Sequence, residues 1–393
     1  MSSEDQYLGA LYQRFPVNIS RGKGAKVWDS AGKEYIDCMG GYGVALVGHC
    51  NERVVYAIKR QADSLITAHM SMYNDTRLKF LEKMASVAPP SLTKIFFTNS
   101  GAESVEAALK FARKYTGKHG VIAMNGAYHG KTFGALSVTY NEKYRKPFMP
   151  LMDGVKFVSY SDPSMLEAAL DNMTGTVILE PIQGETGIIV PPDDLLPRIR
   201  EICNKHHLVL IFDEIQAGLG RTGKMWAGQN WDTTPDIMCL AKGIAGGIPM
   251  GLVLAKQEIM NAMKIGEHSS TFAGSPIACA AGTATLESLV EDKLIDNAAK
   301  VGKDFREGLD WLKEKHKIIR QVRGIGMMLG VEIRFDVKDI LFDGIREGLL
   351  MLYSGKNIIR LLPPLVMDET TVSRAIDIMD IVLANEEKRR NVI

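Results

Sequence analysis

The sequence predicts an α/β fold, a mostly parallel sheet covered by helices on both faces, followed by a smaller α+β region. Three observations carry this. Helical patterns alternate with short apolar runs from about residue 50 to 280. The runs at 95–98, 120–123, 176–179 and 209–212 are continuously apolar rather than alternating. Strands buried on both faces read this way, and they belong to parallel sheets. From about residue 286 the pattern changes to long helices and isolated strands.

In chain order, residues 1–40 read as a short helix and then a hairpin, with strands at 25–28 and 33–37 around a turn at 29–32. A helix follows the strand at 95–98, with Ala102, Val105, Leu109 and Ala112 on one face. Beyond 286 come a helix at 294–315, a strand at 330–334, another helix, a strand at 357–360 and an amphipathic helix from 370 to about 387. The expected division is an N-terminal segment, 1–45, packing with the small domain, a large domain, 46–285, and a small C-terminal domain, 286–393.

Composition narrows the class. A chain of 393 residues with 46% hydrophobic residues is long enough for a large core. A formal net charge of +1 gives no overall electrostatic case for nucleic acid or membrane. The five cysteines are odd in number and form no C-x-x-C pair, so a reducing cytoplasm is expected, with Cys203 and Cys279 in the core. The stretch Met1-Ser-Ser-Glu-Asp-Gln6 lacks the basic and apolar regions of a signal peptide. No run approaches the roughly 18 apolar residues of a membrane span. His206-His207 has no acidic neighbour at ligand spacing, so no metal is expected.

The chemistry centres on two residues. The strand-like run 208–212 ends in Asp213, and Lys242 lies between an apolar run and the glycine cluster Gly243-Ile-Ala-Gly-Gly247. An apolar setting disfavours the lysine's charge and leaves its amine able to attack a carbonyl. An aspartate at a buried strand end can hold a pyridine ring nitrogen protonated. Together they suggest pyridoxal 5'-phosphate (PLP).

Other motifs are weaker when read singly. Thr98-Asn-Ser-Gly-Ala-Glu103 joins a strand to a helix and could cradle a phosphate, or could be a plain capped turn. Glu180-Pro-Ile-Gln-Gly-Glu185 ends another buried strand, and Tyr128-His-Gly-Lys131 follows a third, so both belong at the sheet edge where ligands of α/β sheets bind. Arg360-Leu-Leu-Pro-Pro364 ends a strand of the small domain. Alone it reads as a surface arginine, yet it suits carboxylate binding. Gly218-Leu-Gly-Arg-Thr-Gly-Lys224 matches the outline of a nucleotide-binding P-loop. Met225 stands where that loop needs a hydroxyl, and the loop follows the acidic strand rather than its own.

Taken together, Asn99-Ser-Gly-Ala-Glu, Tyr128-His-Gly-Lys, Glu180-Pro-Ile-Gln-Gly-Glu, Phe212-Asp-Glu-Ile-Gln-Ala-Gly, Leu240-Ala-Lys-Gly, Ser270-Thr-Phe-Ala-Gly-Ser-Pro276 and Arg360-Leu-Leu-Pro-Pro resemble the class III aminotransferases of the fold type I PLP enzymes. The resemblance runs from about residue 20 to 385. Gly48-His-Cys-Asn51, Lys143-Tyr-Arg-Lys-Pro-Phe148 and the run 322–330 look most like acetylornithine aminotransferases and the related enzymes acting on lysine or ornithine attached to a carrier protein.

The resemblance implies the PLP-dependent transferase fold type I, with a seven-stranded type of sheet in the large domain. It implies transfer of a terminal amino group to 2-oxoglutarate, giving a semialdehyde and glutamate, in arginine or lysine biosynthesis. A 4-aminobutyrate-type aminotransferase and a glutamate-1-semialdehyde-type aminomutase are alternatives of the same fold. Lys242 would hold the cofactor covalently and move the proton, and Asp213 would face the ring nitrogen. Ser100, Gly101, Ala102, Tyr128, Glu214, Ile215 and Gln216 would surround the cofactor. Thr271 would reach the phosphate from the partner subunit, implying at least a homodimer. Lys131, Glu185, Ser270 and Arg360 would bind substrate. The family more often has Phe at 128, Arg at 131, Gly at 186 and Asn at 275.

Overall fold

A computed structural model describes residues 3–392, so Met1 and Ser2 of the N-terminal stretch lie outside the described residues. The central sheet has seven strands in the order Lys94–Thr98, Gly251–Ala255, Ile237–Leu240, Val209–Asp213, Thr174–Leu179, Gly120–Met124 and Val155–Val158. All run parallel except Gly251–Ala255, which is antiparallel to both neighbours. Five strands are buried along their whole length. Their side chains divide between two faces. Ile122, Val177, Leu210 and Phe212 join one apolar cluster, while Val121, Ile178, Val209 and Ile211 join another across the sheet. The continuous apolar runs of the sequence are therefore two covered faces, as predicted.

The parallel strands put their C-terminal ends on one edge. Thr98, Met124, Leu179, Asp213 and Leu240 all lie there. An α/β sheet binds ligands at this edge, because strand-to-helix turns converge on it.

Two smaller sheets complete the chain. Ile319–Ile325, Met328–Ile333, Ile358–Leu361 and Leu352–Ser354 form an antiparallel sheet in that order. Helices Leu294–Lys315 and Glu369–Arg389 pack with it in the largest apolar cluster. The third sheet places Ile19–Lys23, Lys26–Asp29 and Glu34–Asp37 beside Leu349–Leu350, which pairs in parallel with Glu34–Asp37. The N-terminal residues thus differ from the expected helix and hairpin. Ser3–Gln6 is a single 3-10 turn, and the hairpin gains an outer strand, Ile19–Lys23. That strand is exposed at almost every position and carries no apolar alternation to announce it.

One buried polar contact ties the two long C-terminal helices. His316 is 2% exposed, with Nδ1 2.8 Å from Glu387 Oε2 and Nε2 2.7 Å from Asp380 Oδ1. Glu387 is itself buried. Losing one member of a buried charged set strands the others. His316→Phe should lower unfolding free energy by about 3 kcal/mol, read from urea denaturation. An unchanged midpoint would show the contact to be dispensable.

Candidate active site

The sheet edge opens into a cavity of about 530 Å³. Its floor begins at the turn after Lys94–Thr98. Ser100 is extended (φ −148°, ψ 165°) and caps helix Gly101–Thr116 through Glu103 N. The first-turn N–H groups of Gly101 and Ala102 have no intrahelical acceptor, and both residues line the cavity. Free N–H groups at a helix N-terminus suit an anion. A Cβ at Gly101 would press on the Ile215 side chain, 2.9 Å from its Cδ1.

Asp213 ends the buried strand Val209–Asp213 and is 5% exposed. His129 Nδ1 lies 2.8 Å from its Oδ2. A carboxylate oxygen accepts, so Nδ1 donates. Asp213 Oδ1 also accepts from Ile215 N at 3.1 Å. His129 Nε2 is buried and has no partner among the described residues. Glu180 is clamped by two backbone donors, Tyr128 N and Gly184 N, each at 2.9 Å. Burial pushes its carboxyl up to about 7, with the His129 ring opposing and Asp213 adding to the shift.

Lys242 follows the buried strand Ile237–Leu240 and sits at φ +48°, a left-handed conformation. A non-glycine residue there costs of order 1–3 kcal/mol, and such strain gathers at functional positions. Burial holds its ammonium below the ordinary lysine range, and the Arg360 charge pushes the same way; Glu185 and Asp213 oppose them. The amine is thereby favoured in its uncharged, nucleophilic form.

A second group of residues centres on Arg360 and Lys131. Arg360 is fully buried within strand Ile358–Leu361, rather than exposed at its end as the bare sequence suggested. Its Nη1 donates to Glu185 Oε1 at 2.7 Å, and its guanidinium lies 5.6 Å from the Tyr42 ring centre. Arg360 Nε and Nη2 have no partner among the described residues. Lys131 is exposed, with its ammonium 4.6 Å from the Tyr144 ring centre. Tyr144 in turn meets Tyr128 edge to face at 6.2 Å. Burial raises the Tyr128 phenol to about 12, so it stays neutral.

The cavity walls therefore bring together Ser100, Gly101, Ala102, Tyr128, Lys131, Glu185, Asp213, Ile215, Gln216 and Lys242. Ser270 stands beside them, its Oγ accepting Asn99 Nδ2 at 2.8 Å. Three expected residues lie off these walls: Arg360 meets them through Glu185, while Glu214 and Thr271 lie elsewhere. Glu214 turns away from the cavity and accepts from Ala227 N at 2.6 Å and Gly228 N at 2.9 Å, bracing a neighbouring loop. Thr271 is exposed on a loop outside this chain's own cavity. The sequence reading missed roles for His129, Tyr42 and Tyr144. His129 sits inside a recognised motif, and only its distance to Asp213 reveals its part.

These residues fit the group that the sequence implied. Gln216 Oε1 is buried at the wall without a partner among the described residues, and a Cβ at Gly184 would collide with it. The anion turn, the strand-end carboxylate and the low-charge lysine match the phosphate, ring nitrogen and carbonyl of PLP.

The chain matches the class-III aminotransferase family over residues 7–383. It is 43% identical over 374 residues to the acetylornithine aminotransferase of Methanopyrus kandleri, covering 95% of each chain. The acetylornithine aminotransferase of Caldanaerobacter subterraneus is 40% identical over 388 residues, covering 97% of this chain and 98% of that one. Among solved structures, the ornithine aminotransferase of Toxoplasma gondii superposes with a TM-score of 0.93 at 33% identity, covering 98% of this chain and 94% of that one. The acetylornithine aminotransferase of Elizabethkingia anophelis gives 0.86 at 32% identity, covering 97% of each. This chain belongs to the class-III aminotransferases, a family of PLP-dependent enzymes.

Proposed function

We propose that this enzyme transfers the terminal amino group of N-acetylornithine to 2-oxoglutarate, releasing N-acetylglutamate semialdehyde and glutamate, within arginine biosynthesis. The observation that carries this is the Glu185–Arg360 pair at 2.7 Å, whose carboxylate lines the same cavity as Lys242 and whose two charges act on that lysine. The two substrates differ at their far ends. A donor reacting through its terminal amine keeps its own α-carboxylate distant from Lys242. 2-Oxoglutarate instead brings a carboxylate next to the reacting carbon and a second one farther away. With the pair closed, Arg360 is neutralised and Lys131 is left as a cation for the distant carboxylate. With Glu185 swung aside, Arg360 offers two parallel donors to the nearer carboxylate. The relatives named acetylornithine aminotransferase support the same donor.

When bound, PLP supplies an electrophilic carbonyl and an electron-withdrawing ring. The chain's residues then have separate tasks. The N–H groups of Gly101 and Ala102, with Ser100, hold the phosphate. Asp213 keeps a proton on the ring nitrogen, and His129 fixes the orientation of that carboxylate. Tyr128 would stack on the ring, Gln216 would approach its hydroxyl, and Ile215 lines the same cavity. Lys242 would take the proton from the reacting substrate carbon and deliver it two atoms away, across the transferred nitrogen. Ser270 contacts substrate. Thr271 of a second copy completes the phosphate site, so the working unit is at least a homodimer. A cytoplasmic setting agrees with the reduced cysteines.

The test compares kcat/KM for N-acetylornithine, ornithine, 4-aminobutyrate and carrier-protein-linked lysine, each with 2-oxoglutarate, by glutamate released. N-acetylornithine should lead ornithine and 4-aminobutyrate by about tenfold or more, a difference of about 1.4 kcal/mol in the barrier. A higher value for the carrier-linked donor would move the enzyme to that substrate. An absence of glutamate release would overturn transfer to 2-oxoglutarate altogether.

A further inference from the structure

A buried arginine shapes a segment that lies outside the cavity. Arg77, in the first turn of helix Asp75–Val87, is 5% exposed. Its three donors go to main-chain carbonyls: Nη2 to Ala68 at 2.8 Å, Nη1 to Met72 at 2.8 Å and Nε to Gly274 at 3.0 Å. One side chain thus ties the loop before its own helix to a loop 197 residues away. Gly274 turns there at φ +67°, and a Cβ on it would meet Met70 Sδ at 3.0 Å and Arg77 Nε at 3.2 Å.

The other end of that loop is tied as well. Ser270 Oγ accepts Asn99 Nδ2 at 2.8 Å, and Asn99 is held by Glu103, whose Oε2 accepts Asn99 N at 2.7 Å and Nδ2 at 2.9 Å. Between the two anchors, Thr271 and Phe272 point into solvent, Phe272 at 74% exposure. Glu103 also sets a negative side chain in the first turn of the helix whose N-terminus forms the anion site. On charge alone that placement opposes phosphate binding.

We propose that Arg77 and Glu103 are positioning residues, which hold 270–274 as a preformed prong carrying Thr271 into the cofactor site of a second copy. The inference rests on the reading of Thr271 given above. Ordering a loose loop on insertion costs about 1–2 kcal/mol per residue of backbone. Anchoring both ends in the single chain removes most of that cost before the copies meet.

The experiment measures the PLP dissociation constant of the apo-enzyme by fluorescence, with amide hydrogen exchange of 270–274, in Arg77→Lys, Glu103→Ala, Thr271→Ala and the Arg77→Lys/Thr271→Ala double variant. Lysine keeps the charge at 77 but cannot span three carbonyls. Arg77→Lys is expected to speed exchange in 270–274 and weaken PLP about tenfold, with no further loss in the double variant. Glu103→Ala is the sharper arm, because the charge and the anchor predict changes of opposite sign. Removing its charge alone would tighten PLP, whereas the proposal requires weaker binding. Tighter or unchanged binding in Glu103→Ala, or wild-type exchange in Arg77→Lys, overturns the proposal. If Thr271→Ala binds PLP as the wild type does, the reading of Thr271 fails instead, and exchange still judges the two anchors.

Discussion

Lys242→Ala should reduce kcat by at least about 10⁴-fold while the protein still folds and still takes up PLP without a covalent link. General acid–base catalysis alone contributes about 10²–10⁴-fold, and here the same amine also anchors the cofactor. Glutamate formation at saturating substrates reads the loss. Borohydride treatment followed by peptide mass analysis reads the anchor: the wild-type peptide containing Lys242 gains the cofactor's mass, and the alanine variant gains none. Turnover within tenfold of wild type would remove Lys242 from the mechanism. A second signature follows from burial, which holds the lysine below its ordinary value. Between the lowered value and the ordinary one the unfolded chain binds a proton that the folded apo-enzyme sheds, so across that window this residue makes stability rise with pH. The alanine variant should lose that part of the slope.

Most of this site was legible in the sequence, because its parts sit at strand ends. An apolar run that stops at a charged residue marks both the sheet edge and the group presented there, as with Asp213, Glu180 and Lys242. The turn at Ser100–Ala102 was legible as a strand-to-helix junction with Ser100 as its cap. Three kinds of feature were not. The strand Gly251–Ala255 is buried at every position, as Ile237–Leu240 beside it is, yet its antiparallel direction leaves no trace in its composition. The outer strand Ile19–Lys23 is exposed and lacks a pattern. The burial of Arg360 depends on strands Leu352–Ser354 and Met328–Ile333 closing on either side of it, a long-range outcome that no local window records. Glu214 shows the converse failure. It sits next to Asp213, but adjacent residues on an extended chain point opposite ways, and its carboxylate faces the loop at Ala227 and Gly228.

Asp213→Asn should cut kcat by roughly 10²–10³-fold, since losing one partner of a buried charge pair costs about 3–5 kcal/mol. Asparagine keeps the size and the extended backbone, so the change isolates charge. It also changes what His129 meets. The histidine now donates Nδ1–H to Asp213 Oδ2 at 2.8 Å, with its far nitrogen buried and unpartnered among the described residues. The ring's one hydrogen bond among the described residues is to that carboxylate, so its effect is expected to pass through it, although the ring also lines the cavity. His129→Phe should therefore lower kcat by a smaller factor, about tenfold to a hundredfold, with hydrogen bonds to charged groups worth about 1.5–3 kcal/mol. The double variant should be no slower than Asp213→Asn alone, because the contribution of His129 passes through the carboxylate that is already gone. Additive losses would give His129 an independent contact with substrate or cofactor. A wild-type kcat in Asp213→Asn would mean that the ring nitrogen needs no negative partner, and the electrostatic reading of the sheet edge would fall with it.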